Sequence, residues 1–416
     1  MKGLDRLALF LGFSATCVFS YACGDSAEPA PAERACADIS GTWTSPPYAA
    51  LSVNLDGTHT TLDGLSMTLE ITQDDACHFQ ALNTWSNGTL GGSEHVAGVV
   101  HNSGETLSMV EISEHPEGGS SARVHATYEG EHIAFEYAGH SADGQRAVVF
   151  STYLSRAEEP PAVSCPNIEG SWTSEVYEAF TVQGDGTHAV LEGLEMTLDV
   201  AFQSDCTFRG VNSWTNGEVG GSEPVAGVIH SDGETLTVVE FGEHPDGGST
   251  GRIFGRVDGE RMEWEYAGID VDNNRGVVFS ALLSRDGAWG ERAPCPDLTG
   301  AWTSGVYEAL VVNDDGSSAE LDGLTMTLAV EHQEGCHFRG VNTWSNESAG
   351  GSEPVAGVIH TDGLTVTMVE VGEHPEGGSS AVVRGLLVGE DTLHWEYAGV
   401  SGGGDKAVVF STNLAR

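Results

Sequence analysis

Four side chains of different chemistry recur three times in one order along the 416-residue chain. In the middle copy they are Asn212, Trp214, Glu240 and Tyr266. Their counterparts are Asn83, Trp85, Glu111 and Tyr137, then Asn342, Trp344, Glu370 and Tyr397. Read with a period of two, Phe208, Gly210, Asn212 and Trp214 share one strand face, opposite Arg209, Ser213 and Thr215. The charged face belongs outside, which turns Asn212 and Trp214 inward. Glu240 continues the face of Leu236 and Val238, and Glu111 and Glu370 continue Leu107/Met109 and Val366/Met368. A carboxyl on an apolar face needs a partner, either an inward Asn or Tyr or a ligand, and desolvation there raises its pKa. Tyr266 follows Trp264 on one face, with Glu265 opposite. Amide, indole, carboxyl and phenol on inward faces make an apolar cavity with polar anchors, a small-molecule site. The competing reading is a core Trp, an Asn that satisfies a strand end, and a Glu at a solvent-facing strand end.

Two repeated segments read as rim loops. One is Glu243–Ser249, repeated as Glu114–Ser120 and Glu373–Ser379, carrying His244, His115 and His374. The other is Gly220–Pro224, repeated as Gly91–His95 and Gly350–Pro354, carrying Glu223, Glu94 and Glu353. Loops free to vary that nevertheless repeat suggest a rim contact. A Glu–His pair near His230 (His101, His360) hints at metal, but the other spaced ligands are missing, so neither metal nor cofactor is expected. Asp270-x-Asp272-x-Asn274 starts like a calcium loop, yet Arg275 stands at the turn-glycine place and the other copies lack the motif. No nucleophile–base pair is shared by the copies, so an enzyme is not expected. Isomerisation or cyclisation by the Glu/Tyr pair is a distant third reading.

These residues must be held by a repeated frame. Cys36-Ala-Asp-Ile-Ser-Gly-Thr-Trp43 returns as Cys165-Pro-Asn-Ile-Glu-Gly-Ser-Trp172 and as Cys295-Pro-Asp-Leu-Thr-Gly-Ala-Trp302. The period far exceeds the roughly 20–50 residues of solenoid repeats, so each copy is a domain: 36–156, 165–285 and 295–416. The middle copy predicts strands at Gly170–Tyr177, Ala179–Gln183, Glu195–Gln203, Thr207–Asn216, Pro224–His230, Thr235–Gly242, Gly251–Val257, Arg261–Gly268 and Gly276–Ser284. In the strand before Asn212, Met196, Leu198, Val200 and Phe202 are assigned inward. The first two segments read as one bent strand, and hairpin turns join the rest in order. The expected fold is all-β: three tandem eight-stranded antiparallel up-and-down barrels, with β-sandwiches as the alternative. Linkers Ala157–Ser164 and Asp286–Pro294 suggest a semi-rigid string, with Trp289 packing on a neighbouring domain.

Gly-x-Trp opens each copy (Gly41/Trp43, Gly170/Trp172, Gly300/Trp302) and an arginine closes each (Arg156, Arg285, Arg416). These elements resemble lipocalins and their calycin relatives. The resemblance implies that the tryptophan sits at the closed barrel end with the basic residue across its ring. Cys295-Pro-Asp-Leu-Thr-Gly-Ala-Trp302-Thr also resembles the opening of avidins, but no biotin-contacting pattern follows it. The later run of Gln-x-x-Cys-x-Phe, Gly-Gly-Ser-Glu, Ala-Gly-Val and Val-Glu looks like small uncharacterised bacterial lipocalin-like proteins, which imply no activity.

The N-terminus reads as an export signal, residues 1–23: Lys2 and Arg6, then an apolar stretch too short to span a membrane. Ser20-Tyr21-Ala22-Cys23 resembles a lipobox, implying lipidation at Cys23. Gly24 after the cysteine implies the outer membrane, with the protein facing the periplasm or the exterior. Residues 24–35 read as a flexible tether. Of eight cysteines, Cys17 and Cys23 fall in the signal; the rest pair at one spacing as Cys36/Cys77, Cys165/Cys206 and Cys295/Cys336. Export favours one disulfide per domain. Sixty-two acidic against seventeen basic residues give a net charge of −45, which excludes nucleic acid as a natural partner. The expected protein is a monomeric, lipid-anchored surface protein whose barrels bind a small or repetitive extracellular ligand. The alternative is a structural module that grips protein or polysaccharide through its repeated loops.

Overall fold

The computed structural model describes residues 36–74, 77–101, 104–112, 123–140, 145–156, 163–241, 249–270, 275–371, 382–400 and 406–416. Ala35–Arg416 forms one compact unit. It is all-β, and among the described residues no helix is long and apolar enough to cross a membrane.

The first copy contains β1 (Gly41–Thr44), β2 (Tyr48–Asn54), β3 (His59–Gln73), β4 (His78–Ser86), β5 (Gly91–Val100), β6 (Thr106–Ile112), β7 (Arg123–Tyr128), β8 (His132–His140) and β9 (Arg146–Ser155). Each strand from β2 onward pairs antiparallel with the next, and β9 returns to β2. Both β1 and β2 pair with β3 and β9, so they act as one strand broken at Ser45-Pro46-Pro47. The circuit closes an eight-stranded barrel, and a closed circuit leaves no place for a sandwich. The same frame runs from Gly170 to Ser284 and from Gly300 to Ala415.

Two sequence expectations shift locally. The third strand of the middle copy begins at His188 rather than Glu195. Gly193, with φ of +71°, lies within the strand, opposite a register shift between Tyr177 and Ala179. A second bulge between Val200 and Phe202 turns Phe202 off the inward face. Its ring instead lies 4.4 Å from that of His59 in the first barrel.

One end of each barrel is shut as the lipocalin resemblance implied. Trp43, Trp172 and Trp302 are fully buried, and their Nε1 atoms donate to Ile39, Ile168 and Leu298 carbonyls at 2.8, 2.9 and 2.8 Å. The glycine two residues earlier has φ near +120° in every copy, a conformation only glycine adopts without strain. Arg156, Arg285 and Arg416 cover the indoles at 4.2, 4.3 and 4.7 Å. Arg285 also donates to the Asn167 and Glu169 carbonyls at 3.1 and 2.9 Å. Arg285→Ala should therefore cost about 1–2 kcal/mol, read as a lower urea midpoint. Arg285→Lys should recover only part of that loss; an unchanged midpoint in both variants would show that the arginine seals nothing. Disulfides join Cys36–Cys77, Cys165–Cys206 and Cys295–Cys336, with Cα separations of 5.6, 5.3 and 5.3 Å.

The barrels do not form a string. Outward residues of β2, β8 and β9 (Leu51, Val53, Ala138, Ala147, Val149) pack on Ala226, Val228, Val239 and Phe241 of the second barrel. The second barrel's Phe180, Val182, Ala267 and Val278 pack on Ala356, Val358, Val369 and Val371 of the third. The third barrel's Leu310, Val312, Ala398, Ala407 and Val409 return to Ala97, Val99, Val110 and Ile112 on β5 and β6. One kind of face meets the other kind three times, so the contacts close a head-to-tail ring. Equivalent glutamates bridge the junctions. Glu136 accepts from Ser231 N at 3.2 Å, Glu265 from Thr361 N at 3.2 Å, and Glu396 meets His101 Nδ1 at 2.8 Å. The linker tryptophan is also corrected: Trp289 donates to the Thr173 carbonyl at 3.0 Å, on the barrel that it follows.

Candidate functional site

Alternation along β4 and its counterparts does turn the Asn/Trp pairs inward. Asn83, Asn212 and Asn342 are buried, while the adjacent Thr84, Ser213 and Thr343 are exposed. On the next strand but one, Glu111, Glu240 and Glu370 are buried as well, which sets aside a solvent-facing strand end. Each asparagine donates Nδ2 to its glutamate: Asn83–Glu111 at 2.9 Å, Asn212–Glu240 at 2.6 Å, Asn342–Glu370 at 2.8 Å. Tyr137 and Tyr266 add side-chain hydrogen bonds to Glu111 and Glu240.

Glu94, Glu223 and Glu353 are not rim-loop residues. The Gly-Gly-Ser-Glu segments are strand, β5 in the first barrel, and register places these glutamates opposite Asn83, Asn212 and Asn342. The paired glycines read as turn formers, but they run alongside Trp85, Trp214 and Trp344, where Gly92, Gly221 and Gly351 pair. Inward and buried, the glutamates accept from the indoles: Trp85 Nε1–Glu94 at 3.5 Å, Trp214 Nε1–Glu223 at 3.2 Å, and Trp344 to Glu353. His115, His244 and His374, with most of their loops, lie outside the described residues, as do residues 271–274.

In the first barrel this set lines a cavity of about 360 Å³, within the usual range for a small-molecule site. Asn83, Trp85, Glu94, Glu111 and Tyr137 share its wall with Tyr48, Met67, Arg146 and Phe150. The aromatic part is ordered. Phe150 stacks on Tyr137 at 4.7 Å and meets Tyr48 at 4.8 Å. Phe279 does the same with Tyr266 and Tyr177, and Phe410 with Tyr397 and Tyr307. Sequence reasoning missed this Tyr–Phe–Tyr stack. Its signal was the inward phase of Val-Val-Phe-Ser in the last strand and of Tyr-x-Ala in the second.

Burial dominates the electrostatics. It pushes Glu240 up to about 8, with Glu223 adding to the rise and Asn212 and Tyr266 opposing it. Glu111 is held well above the carboxylate range by burial and then by Glu94. Burial raises Glu353 to about 7. The Tyr48, Tyr177 and Tyr307 phenols are held up by burial and by these same glutamates. Each barrel thus encloses two carboxyls that resist double ionisation.

Of the histidines considered for metal, the described ones, His101, His230 and His360, lie elsewhere. His230 Nε2 and His360 Nε2 bond Thr237 and Thr367 hydroxyls at 2.8 and 2.6 Å, and His101 reaches Glu396 across a junction. No group of three metal-ligating side chains forms among the described residues.

No family model and no curated protein matches the chain. Similar solved structures include a DUF3598-family protein of unknown function from Nostoc punctiforme, at 12% identity and a TM-score of 0.30. That match covers 60% of this chain and 96% of the other. Transferrin binding protein B from Haemophilus parasuis matches at 11% identity and a TM-score of 0.23, covering 91% and 76% of the two chains. The same protein from serogroup B Neisseria meningitidis matches at 11% and 0.22, covering 90% and 76%.

Proposed function

We propose that this is an exported binding protein, lipid-anchored through Cys23 to the outer membrane, whose barrels each hold a small, partly apolar molecule. It binds its guest without converting it. The observation that carries the reading is the cavity of the first barrel, where two buried carboxyls, an amide and stacked aromatics surround about 360 Å³. A barrel needed only as a spacer gains nothing from keeping Glu111 and Asn83 at its centre, because leucines would fill that space without desolvation cost.

Native mass spectrometry of the intact chain from its own host tests the reading. The expected spectrum shows one or more small molecules released by collisional activation. Trp85→Ala should lower occupancy of the first barrel at least about tenfold, since it removes one wall. A ligand-free spectrum from host material, with no small molecule retained at any collision energy, would favour the structural-module alternative. The anchor has its own test: Cys23→Ser should abolish incorporation of labelled fatty acid and release the protein from membranes.

A further inference from the structure

We infer that the guest is an organic cation, a protonated or quaternary amine on a compact apolar body, seated against Asn83, Glu94 and Glu111. The inference rests on the small-molecule reading above and names its ligand class.

Trp85 Nε1 is given to Glu94, while Asn83 Nδ2 and the Tyr137 hydroxyl are given to Glu111. These three donors are thus already committed to the two carboxyls. At its Asn83 end the cavity also offers an open acceptor. Asn83 Oδ1 is buried and has no hydrogen-bond partner, and the same holds for Asn212 Oδ1 and Asn342 Oδ1 in the other barrels. An unpaired buried acceptor is costly, and three copies keep it. A guest donor satisfies it, whereas a guest carboxylate would set lone pairs against lone pairs.

Glu111 faces Glu94 from β5, Asn83 and Trp85 from β4, Tyr137 from β8 and Tyr48 from β2. None of these brings a positive charge to the carboxyl pair. Arg146 also lines the cavity, but it sits on β9 four residues before Phe150, about 13 Å along the strand, paired with Asn54. It lies toward the tail of the guest rather than the head, and Arg275 and Lys406 repeat the placement. Tyr48 and Trp85 line the same wall, and aromatic rings of this kind attract cations.

The test is isothermal titration of the intact chain with 2-phenylethylamine, 2-phenylethanol and 3-phenylpropionate, in two buffers of different ionisation enthalpy. The amine should bind about tenfold or more tightly than the alcohol, and the carboxylate more weakly than either. Amine binding should also release protons, because a cation at the head favours ionised Glu111. In the triple variant E111Q/E240Q/E370Q the amine should fall to the affinity of the alcohol. An unchanged β-sheet circular dichroism spectrum and a retained cooperative melting transition in that variant keep loss of fold from passing as success. Equal or tighter binding of alcohol or carboxylate overturns the cation while leaving small-molecule binding intact. Failure of all three probes also overturns it, and the native spectrum then decides the broader reading.

Discussion

The second barrel expressed alone, Cys165–Arg285, will not remain monomeric at micromolar concentration. Within the ring it buries two separate outer faces. Phe180, Val182, Ala267 and Val278 form one; Ala226, Val228, Val239 and Phe241 form the other. All eight are at most 1% exposed in the intact chain. Burying a Val or Phe side chain contributes roughly 1.5–3 kcal/mol, so excision uncovers a large driving force for association. The two faces complement each other in type, which directs association head to tail. They do not match in size. The first junction sets Leu51 and Val53 against Phe241; the second sets Phe180 against Val371. Copies of the second barrel would instead bring Phe180 and Phe241 to one junction, and overpacking opposes clean closure. Sedimentation velocity should show a broad series of oligomers. A sharp monomer boundary would mean that the outer faces do not hold the ring.

Stability should fall as pH rises from 6.5 to 8, and Glu265→Gln should remove part of that fall. Burial pushes Glu136, Glu240 and Glu265 up to about 8. Their unfolded value lies near 4.5, so folding favours the protonated acid. That stability is complete below 4.5 and is lost as pH rises through 8. For one such group the loss at pH 7 is on the order of 3 kcal/mol. Histidines oppose this on the acid side. Burial pulls His230 and His337 down to about 4 and His360 to about 3, and holds His125 well below its usual range. Their contribution is present above about 6.5 and is lost as pH falls toward 4. The two trends offset between about 4.5 and 6.5, giving a plateau with a decline on each side. The acidic surface also repels itself more strongly as pH rises, so melting is measured in high salt, which screens that part. Glu265→Gln should raise the melting temperature at pH 8 and change it little at pH 4.5. A flat profile from pH 6 to 8, or a destabilised variant at pH 8, would contradict the buried-acid account.

Much of the barrel was legible in the sequence because its signals are local. Alternation placed Asn212 and Trp214, the Gly-x-Trp and closing arginine marked the sealed end, and equal cysteine spacing gave the disulfides. The site was legible only in part. Glu223 was hidden because Gly-Gly-Ser-Glu-Pro carries turn-forming residues and nothing local says that it is strand. Tyr177 and Phe279 were hidden because their stack joins strands distant in sequence. The ring was missed for a different reason. Reading Glu265 as outward was correct in phase, but outward was equated with solvent. Runs such as Val225-Ala-Gly-Val-Ile229 and Gly276-Val-Val-Phe279 are apolar on both phases, a pattern of strands buried on both faces. His95, which stands where the other copies have proline, is likewise explained by a junction: its ring lies against Gly316 of the third barrel.

One position on the inner edge of the ring shows what joining the barrels in one chain permits. Pairing opposite Ser108, Thr237 and Thr367 brings His125, Phe254 and Arg384 to equivalent places. His125 stacks on His230 at 5.4 Å, while Arg384 lies over Phe254 at 5.8 Å. An assembly of three identical subunits must repeat any substitution at such a position three times, like against like. A single polypeptide escapes that constraint, and each place here holds a different residue. The same freedom extends to the barrel interiors: the lining of one can change while its two siblings preserve the scaffold.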